Sequence, residues 1–171
     1  AMSNGGIGSD GTTGTKLNLT KSTVLTSGII QLTQSSGANG SFAVTFCALR
    51  NTGAVVCWGN AAATGLLGDG GATPSRPSTL YTPYLLDSGV NYIDLAANVG
   101  CALKSGSLIC WGSNSNTFIL NSAGFNGYIF SPIPLNQTTF DTTKGIVEFS
   151  TNTVSGSTNR ICVLNYLGAV A

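Results

Sequence analysis

Tandem, propeller-type blades in an all-β chain are the fold class this sequence predicts, on three recurring observations. A glycine leads into an apolar strand start at Gly28-Ile29, Gly89-Val90 and Gly145-Ile146, so the glycines are 61 and 56 residues apart. Cys47-Ala48-Leu49, Cys101-Ala102-Leu103 and Cys162-Val163-Leu164 recur at spacings of 54 and 61. Cys57-Trp58-Gly59 returns as Cys110-Trp111-Gly112. Markers that recur in one order, with a period a little above 50 residues, belong to propeller blades or arrays. No segment keeps a helical period of useful length.

Residues 1–15 are almost all Gly, Ser, Thr and Asn and read as a flexible leader. Residues 16–171 read as the repeat domain, with repeats near 28–88, 89–144 and 145–171 and with 16–27 as the trailing segment of another blade. Two hairpins stand out within the repeats. Cys47 to Cys57 reads as two strands around a three-residue loop, with Gly53 at the left-handed bulge position. Cys101 to Cys110 reads as two strands around a two-residue loop, with Gly106 supplying the positive φ.

Composition narrows the function. The chain is 42% hydrophobic but only 8% charged, with a net charge of +1, so Ser, Thr, Asn and Gly carry its solubility. Seven scattered Lys and Arg leave no electrostatic footprint for nucleic acid or an anionic bilayer, and neither is expected as a partner. No run of 18 apolar residues is present, so no membrane insertion by a helix is expected.

The run from Cys47 to Asn60, with Gly65-Leu66-Leu67-Gly68-Asp69-Gly70 and then Pro77, resembles a complete repeat of the regulator of chromosome condensation family. The second repeat keeps Val90, Ile93, Cys101 to Leu103, Gly106 and Trp111-Gly112, then departs between Ser113 and Phe130. The third keeps Ile146 to Phe149 and Cys162 to Gly168. The resemblance implies four-stranded blades in a family of interaction modules that includes a guanine nucleotide exchange factor. Members often carry a histidine ahead of the Cys-Ala-Leu segment, where this chain has Thr45, Val99 and Arg160 and no histidine anywhere. Exchange activity is therefore not carried over.

The cysteines bear on compartment. Counted outward from each turn, Cys47 faces Cys57 and Cys101 faces Cys110 on non-hydrogen-bonded rungs, where side chains approach most closely. Both pairs are expected as cross-strand disulfides, each stabilising by roughly 2.5–3 kcal/mol for a loop of about ten residues. Such bonds point to an extracellular or cell-surface protein. Cys162 is left free, and zinc is not expected without Cys-x-x-Cys spacing or histidine.

Enzymatic chemistry finds no support. The six carboxylates, Asp10, Asp69, Asp87, Asp94, Asp141 and Glu148, are scattered rather than paired. Nucleophile–histidine arrangements are impossible without histidine. The Gly65–Gly70 loop lacks the Lys-Ser/Thr of a phosphate cradle and reads as turn geometry. Neither an enzyme nor a cofactor is expected, and Trp58 and Trp111 read as packing residues.

Recognition is sought where the repeat rule breaks. Asn114, Asn116, Phe125, Asn126 and Tyr128 combine amide groups with aromatic faces that suit glycans and polar protein epitopes. Tyr81 and Tyr84, flanking Pro83, repeat that argument more weakly. The expected function is an extracellular recognition or adhesion module, such as a fibre head or adhesin binding a surface glycan or protein of another cell. The alternative is a docking or inhibitory propeller domain with a single protein partner. Lys16 to Gly28 resembles Pro77 to Gly89 and Pro134 to Gly145, so two whole blades and two partial ones make about three blade-equivalents, whereas closed propellers need about four to eight. The expectation is a homo-oligomer in which Cys162 to Ala171 of one subunit joins Lys16 to Gly28 of the next, a trimer favoured over a dimer.

Overall fold

The computed structural model describes residues 25–35, 45–59, 65–71, 76–114, 127–135, 145–154 and 158–170. The first sheet runs in the order β1 (Ile29–Gln34), β2 (Thr45–Arg50), β3 (Val55–Gly59), β4 (Arg76–Tyr81). The second repeats it as β5 (Val90–Leu95), β6 (Val99–Lys104), β7 (Ser107–Ser113), β8 (Tyr128–Pro134). A third unit contributes the pair β9 (Ile146–Val154) and β10 (Thr158–Asn165). Every pairing is antiparallel, and no helix occurs among the described residues. These four-stranded meanders are the propeller blades the sequence predicts. The strands that carry proline inside them, β4 with Pro77 and β8 with Pro132, are outermost, where a missing N–H leaves no gap in the ladder.

Local sequence explains each hairpin. Gly53 adopts φ 80° and donates its N–H to the Arg50 carbonyl at 2.9 Å, closing the three-residue loop. In the second hairpin Lys104 pairs with Ser107 across a two-residue loop. There both Ser105 (φ 52°) and Gly106 (φ 76°) are left-handed, where the sequence had suggested the glycine alone. A type I′ turn needs positive φ at both central residues to match strand twist, so the serine is carried along. Cys47 stands opposite Cys57 and Cys101 opposite Cys110, with Cα atoms 4.1 Å apart in both pairs, the close rung expected. Both pairs are disulfide-bonded, and Cys162 is free and exposed.

Packing follows the repeat. Cys47, Leu49, Val55 and Cys57 of the first sheet enclose Ile93, Ala102, Ile109 and Trp111 of the second. Cys101, Leu103, Leu108 and Cys110 of the second sheet then enclose Ile146, Phe149 and Val163 of the third. The first two sheets thus each have a trailing face that carries the disulfide, and the leading faces of the second and third meet the disulfide of the sheet before. Side chains alternate along β6 and β7, so one strand serves both joints. Each fully enclosed Leu or Ile here contributes about 1.5–3 kcal/mol. The leader 1–15 and the trailing segment 16–24 lie outside the described residues.

Candidate recognition surface

The hairpin turns gather at one end of the sheets. Val90 donates its N–H to the Gly53 carbonyl at 3.0 Å, Ile146 to Gly106 at 3.0 Å, and Tyr166 to Gly145 at 3.1 Å. Each turn therefore sits against the start of a first strand. The connection from Pro83 to Gly89 lies at the same end, because Val55 donates to the Leu86 carbonyl at 2.8 Å.

Within that connection Leu86 donates its N–H to the Pro83 carbonyl at 3.0 Å, which closes a turn over Tyr84 and Leu85. Leu85 adopts φ 65°, a position that turns usually give to Gly or Asn. A branched side chain held there costs about 1–3 kcal/mol, and the surroundings must impose it. They do so from three directions. Leu86 is buried in the core between the first two sheets, Tyr84 donates its N–H to the Gly68 carbonyl at 3.1 Å, and Lys104 Nζ donates to the Leu85 carbonyl at 2.6 Å. The 3.9 Å approach of Lys104 to the exposed Asp87 adds little in water. The outcome is two large apolar side chains, Tyr84 and Leu85, which remain 63% and 45% exposed on a pinned turn. Tyr166 and Leu167 project from the third turn at the same end.

The residues singled out from sequence divide. Asn114 is completely enclosed, and its backbone N–H donates to the Gly127 carbonyl at 2.9 Å. As a contact residue it is corrected, because a buried amide offers nothing to a ligand on the surface. Tyr128 is exposed and lies tilted against Phe130, ring centroids 6.3 Å apart. Asn116, Phe125 and Asn126 lie outside the described residues. Tyr81 is half-buried against the first core cluster, whereas Tyr84 projects. Sequence reasoning missed Leu85, whose signal, a branched residue after Pro83-Tyr84, does not mark a left-handed turn.

The glycine-rich loop has a packing role. Gly70 donates its N–H to the Phe130 carbonyl at 2.9 Å, and Leu66 and Leu67 are buried between the sheets. Asp94 likewise joins units: Oδ2 accepts the N–H and the hydroxyl of Thr151, each at 2.8 Å. Burial raises the Tyr92 phenol above its usual range, and the carboxylates of Asp94 and Glu148 raise it further, against a hydrogen bond with Gln31. That phenol stays protonated at neutral pH. Among the described residues no group of three or more His, Cys, Asp or Glu could hold a metal ion. No helix among them is long and apolar enough to cross a membrane.

No protein-family model matches the sequence, and no curated protein matches it. Solved structures do. Human WBSCR16 is similar at 20% identity and a TM-score of 0.61, over 83% of this chain and 32% of that one. Prp20p from Saccharomyces cerevisiae, a structure described with binding to Gsp1p and histones, is similar at 22% identity and a TM-score of 0.53, over 83% and 31%. Yeast RCC1 (Prp20) with Kap60 bound gives 22% identity and a TM-score of 0.54, over 83% and 31%. The likeness is one of fold, that of the RCC1-type propeller, and this chain spans about a third of the length of the structures it matches.

Proposed function

We propose that this chain serves as a propeller-type recognition module outside the reducing cytosol and binds a macromolecule through the end of its blades that carries the turns. The pinned Tyr84–Leu85 turn supports this reading most strongly. Two large side chains are held outward on a turn that the buried Leu86 and the bonds to Gly68 and Lys104 fix, and neither side chain is itself enclosed. A rigid aromatic–aliphatic pair is the kind of anchor that concentrates binding energy at protein interfaces. Two disulfides, Cys47–Cys57 and Cys101–Cys110, support an oxidising compartment. The low charge of the chain disfavours a nucleic-acid ligand. The module is read as non-enzymatic, because the chain has no histidine to serve as a base and its six carboxylates are scattered along the sequence. The yeast relatives in fold, described with Gsp1p, histones and Kap60, make a protein ligand the leading reading. Adhesion to another cell is the setting that fits an extracellular module of this kind.

Labelled protein applied in parallel to an array of extracellular protein domains and to a glycan array tests the reading. Protein hits lost in Tyr84→Ala and Leu85→Gly are expected. Hits on sugars that survive both substitutions would move recognition to another surface, the exposed Tyr128 being the first to examine.

A further inference from the structure

Two joints between successive sheets are complete, and they are built alike. In the first, the Gly53 carbonyl accepts Val90 N–H, Gln31 Oε1 accepts Ile93 N–H at 3.1 Å, and Thr33 Oγ1 accepts Leu95 N–H at 3.1 Å. In the second, the Gly106 carbonyl accepts Ile146 N–H, and Asp94 accepts Thr151 N–H. Register equates Thr33, Asp94 and Ser150, which stand opposite Cys47, Cys101 and Cys162. It also equates Leu32, Ile93 and Phe149, which stand opposite Ala48, Ala102 and Val163.

The third unit presents another trailing half, and among the described residues it is open. Leu164 bridges Val170 as Leu49 pairs with Val55. Cys47, Leu49 and Val55 are at most 1% exposed, yet Val170 is 69% exposed and Cys162 is open. Gly168, at φ 82°, repeats Gly53 at φ 80°. A Cβ on Gly53 would stand 2.6 Å from the Gly89 nitrogen, whereas one on Gly168 meets nothing within 4 Å. This turn is already formed, since Asn165 Oδ1 accepts the N–H groups of Leu167 and Ala169 at 3.1 and 2.9 Å. The first sheet presents the opposite half, open along β1, although Ala48 and Val56 on the same face are buried. Leu32 is 66% exposed, where its equivalents Ile93 and Phe149 are 1% and 2% exposed.

We propose that a second copy of this chain docks head to tail, its first sheet on the third unit of its neighbour, and so repeats the joint that the chain makes twice within itself. A copy fits because one chain carries both halves of one complementary interface, exposed at Leu32 on the first and at Cys162 and Val170 on the second. In that joint Ile29, in the place of Val90 and Ile146, brings its N–H to the Gly168 carbonyl. Gln34, in the place of Leu95 and Thr151, brings its own to the Ser150 hydroxyl. Leu32 closes over Cys162 and Val170. An apolar side chain that is buried at two of three equivalent positions is built for contact at the third. A heterologous joint repeated by one rotation closes into a ring.

Light scattering on the 171-residue protein at micromolar concentration is expected to give a whole-number multiple, two or more, of the chain mass. Leu32→Asp and Gly168→Ala alter surfaces that are open in the single chain, so both are expected to fold, which thermal melting checks. Each alone is expected to be monomeric, with association weakened at least a hundredfold. The directional test is capture. Tagged Leu32→Asp keeps a good trailing half and is expected to retain untagged Gly168→Ala, which keeps a good leading half, but not untagged Leu32→Asp. A wild-type monomer at micromolar concentration overturns the proposal and leaves both faces to other chains or further repeats. An oligomer that survives both substitutions overturns it as well.

Discussion

Trp111 donates its indole N–H to the backbone carbonyl of Leu66 at 2.8 Å, a bond 45 residues long that ties the second sheet to the glycine-rich connection of the first. The ring lies so close to Gly100 that a Cβ there would stand 2.5 Å from it. Trp58, at the same place in the repeat, faces Phe46 instead and stacks on it at 5.7 Å, half-buried on the leading face of the first sheet.

That difference sets the first prediction. Trp111→Phe is expected to cost about 1–3 kcal/mol, since it strands a buried carbonyl and leaves a void. Trp58→Phe is expected to cost less than about 1 kcal/mol. Urea denaturation of both variants measures the gap, and equal losses would show that the indole bond contributes nothing.

Redox state comes next. Alkylation of the native protein is expected to label one cysteine, Cys162, and labelling after reduction and unfolding to reach all five. Replacing Cys47 and Cys57 together by Ala is expected to cost roughly 2.5–3 kcal/mol. Five labels on the native protein, read by mass, would remove both bonds and the extracellular reading with them.

Thr45 offers a stabilising change. Among the described residues its hydroxyl is buried without a hydrogen-bond partner. Val99 occupies the matching place in the second sheet, opposite Gly112 as Thr45 is opposite Gly59. Thr45→Val keeps the shape and removes an uncompensated polar group, so a gain of about 1–2 kcal/mol is expected. A loss in thermal denaturation would mean that the hydroxyl is satisfied in solution.

Leu85→Gly should raise stability while it removes a contact. Relief of the left-handed strain exceeds the extra freedom of glycine in the unfolded chain, for a net gain of about 0.5–1 kcal/mol. Calorimetry checks the sign. A clear loss would mean that the leucine packs in solution.

Much of this was legible in the sequence, for a definite reason. Gly28, Gly89 and Gly145 mark the starts of β1, β5 and β9, because a left-handed residue is needed wherever the chain swings into a new sheet. Loop length fixes hairpin register, so the pairing of Cys47 with Cys57 could be counted before any coordinates. What escaped depends on contacts distant in sequence. Gly65 to Gly70 announced a turn but not that β8 would dock on it, and nothing around Asn114 marked it as enclosed. Leu85 runs against local preference, and its conformation is imposed by Lys104 and Leu86 from outside the turn.

The disulfides span only 10 and 9 residues, which bears on how the protein is made as much as on how it endures. In an unfolded chain, the chance that two cysteines meet falls with roughly the three-halves power of their separation. Cys47 therefore meets Cys57 about ten times as often as it meets Cys101, 54 residues away. Loop closure therefore favours the correct bonds over crossed ones even before any sheet has packed on its neighbour. Each hairpin carries its own short crosslink, and Cys162 stands outside both as a free, exposed thiol.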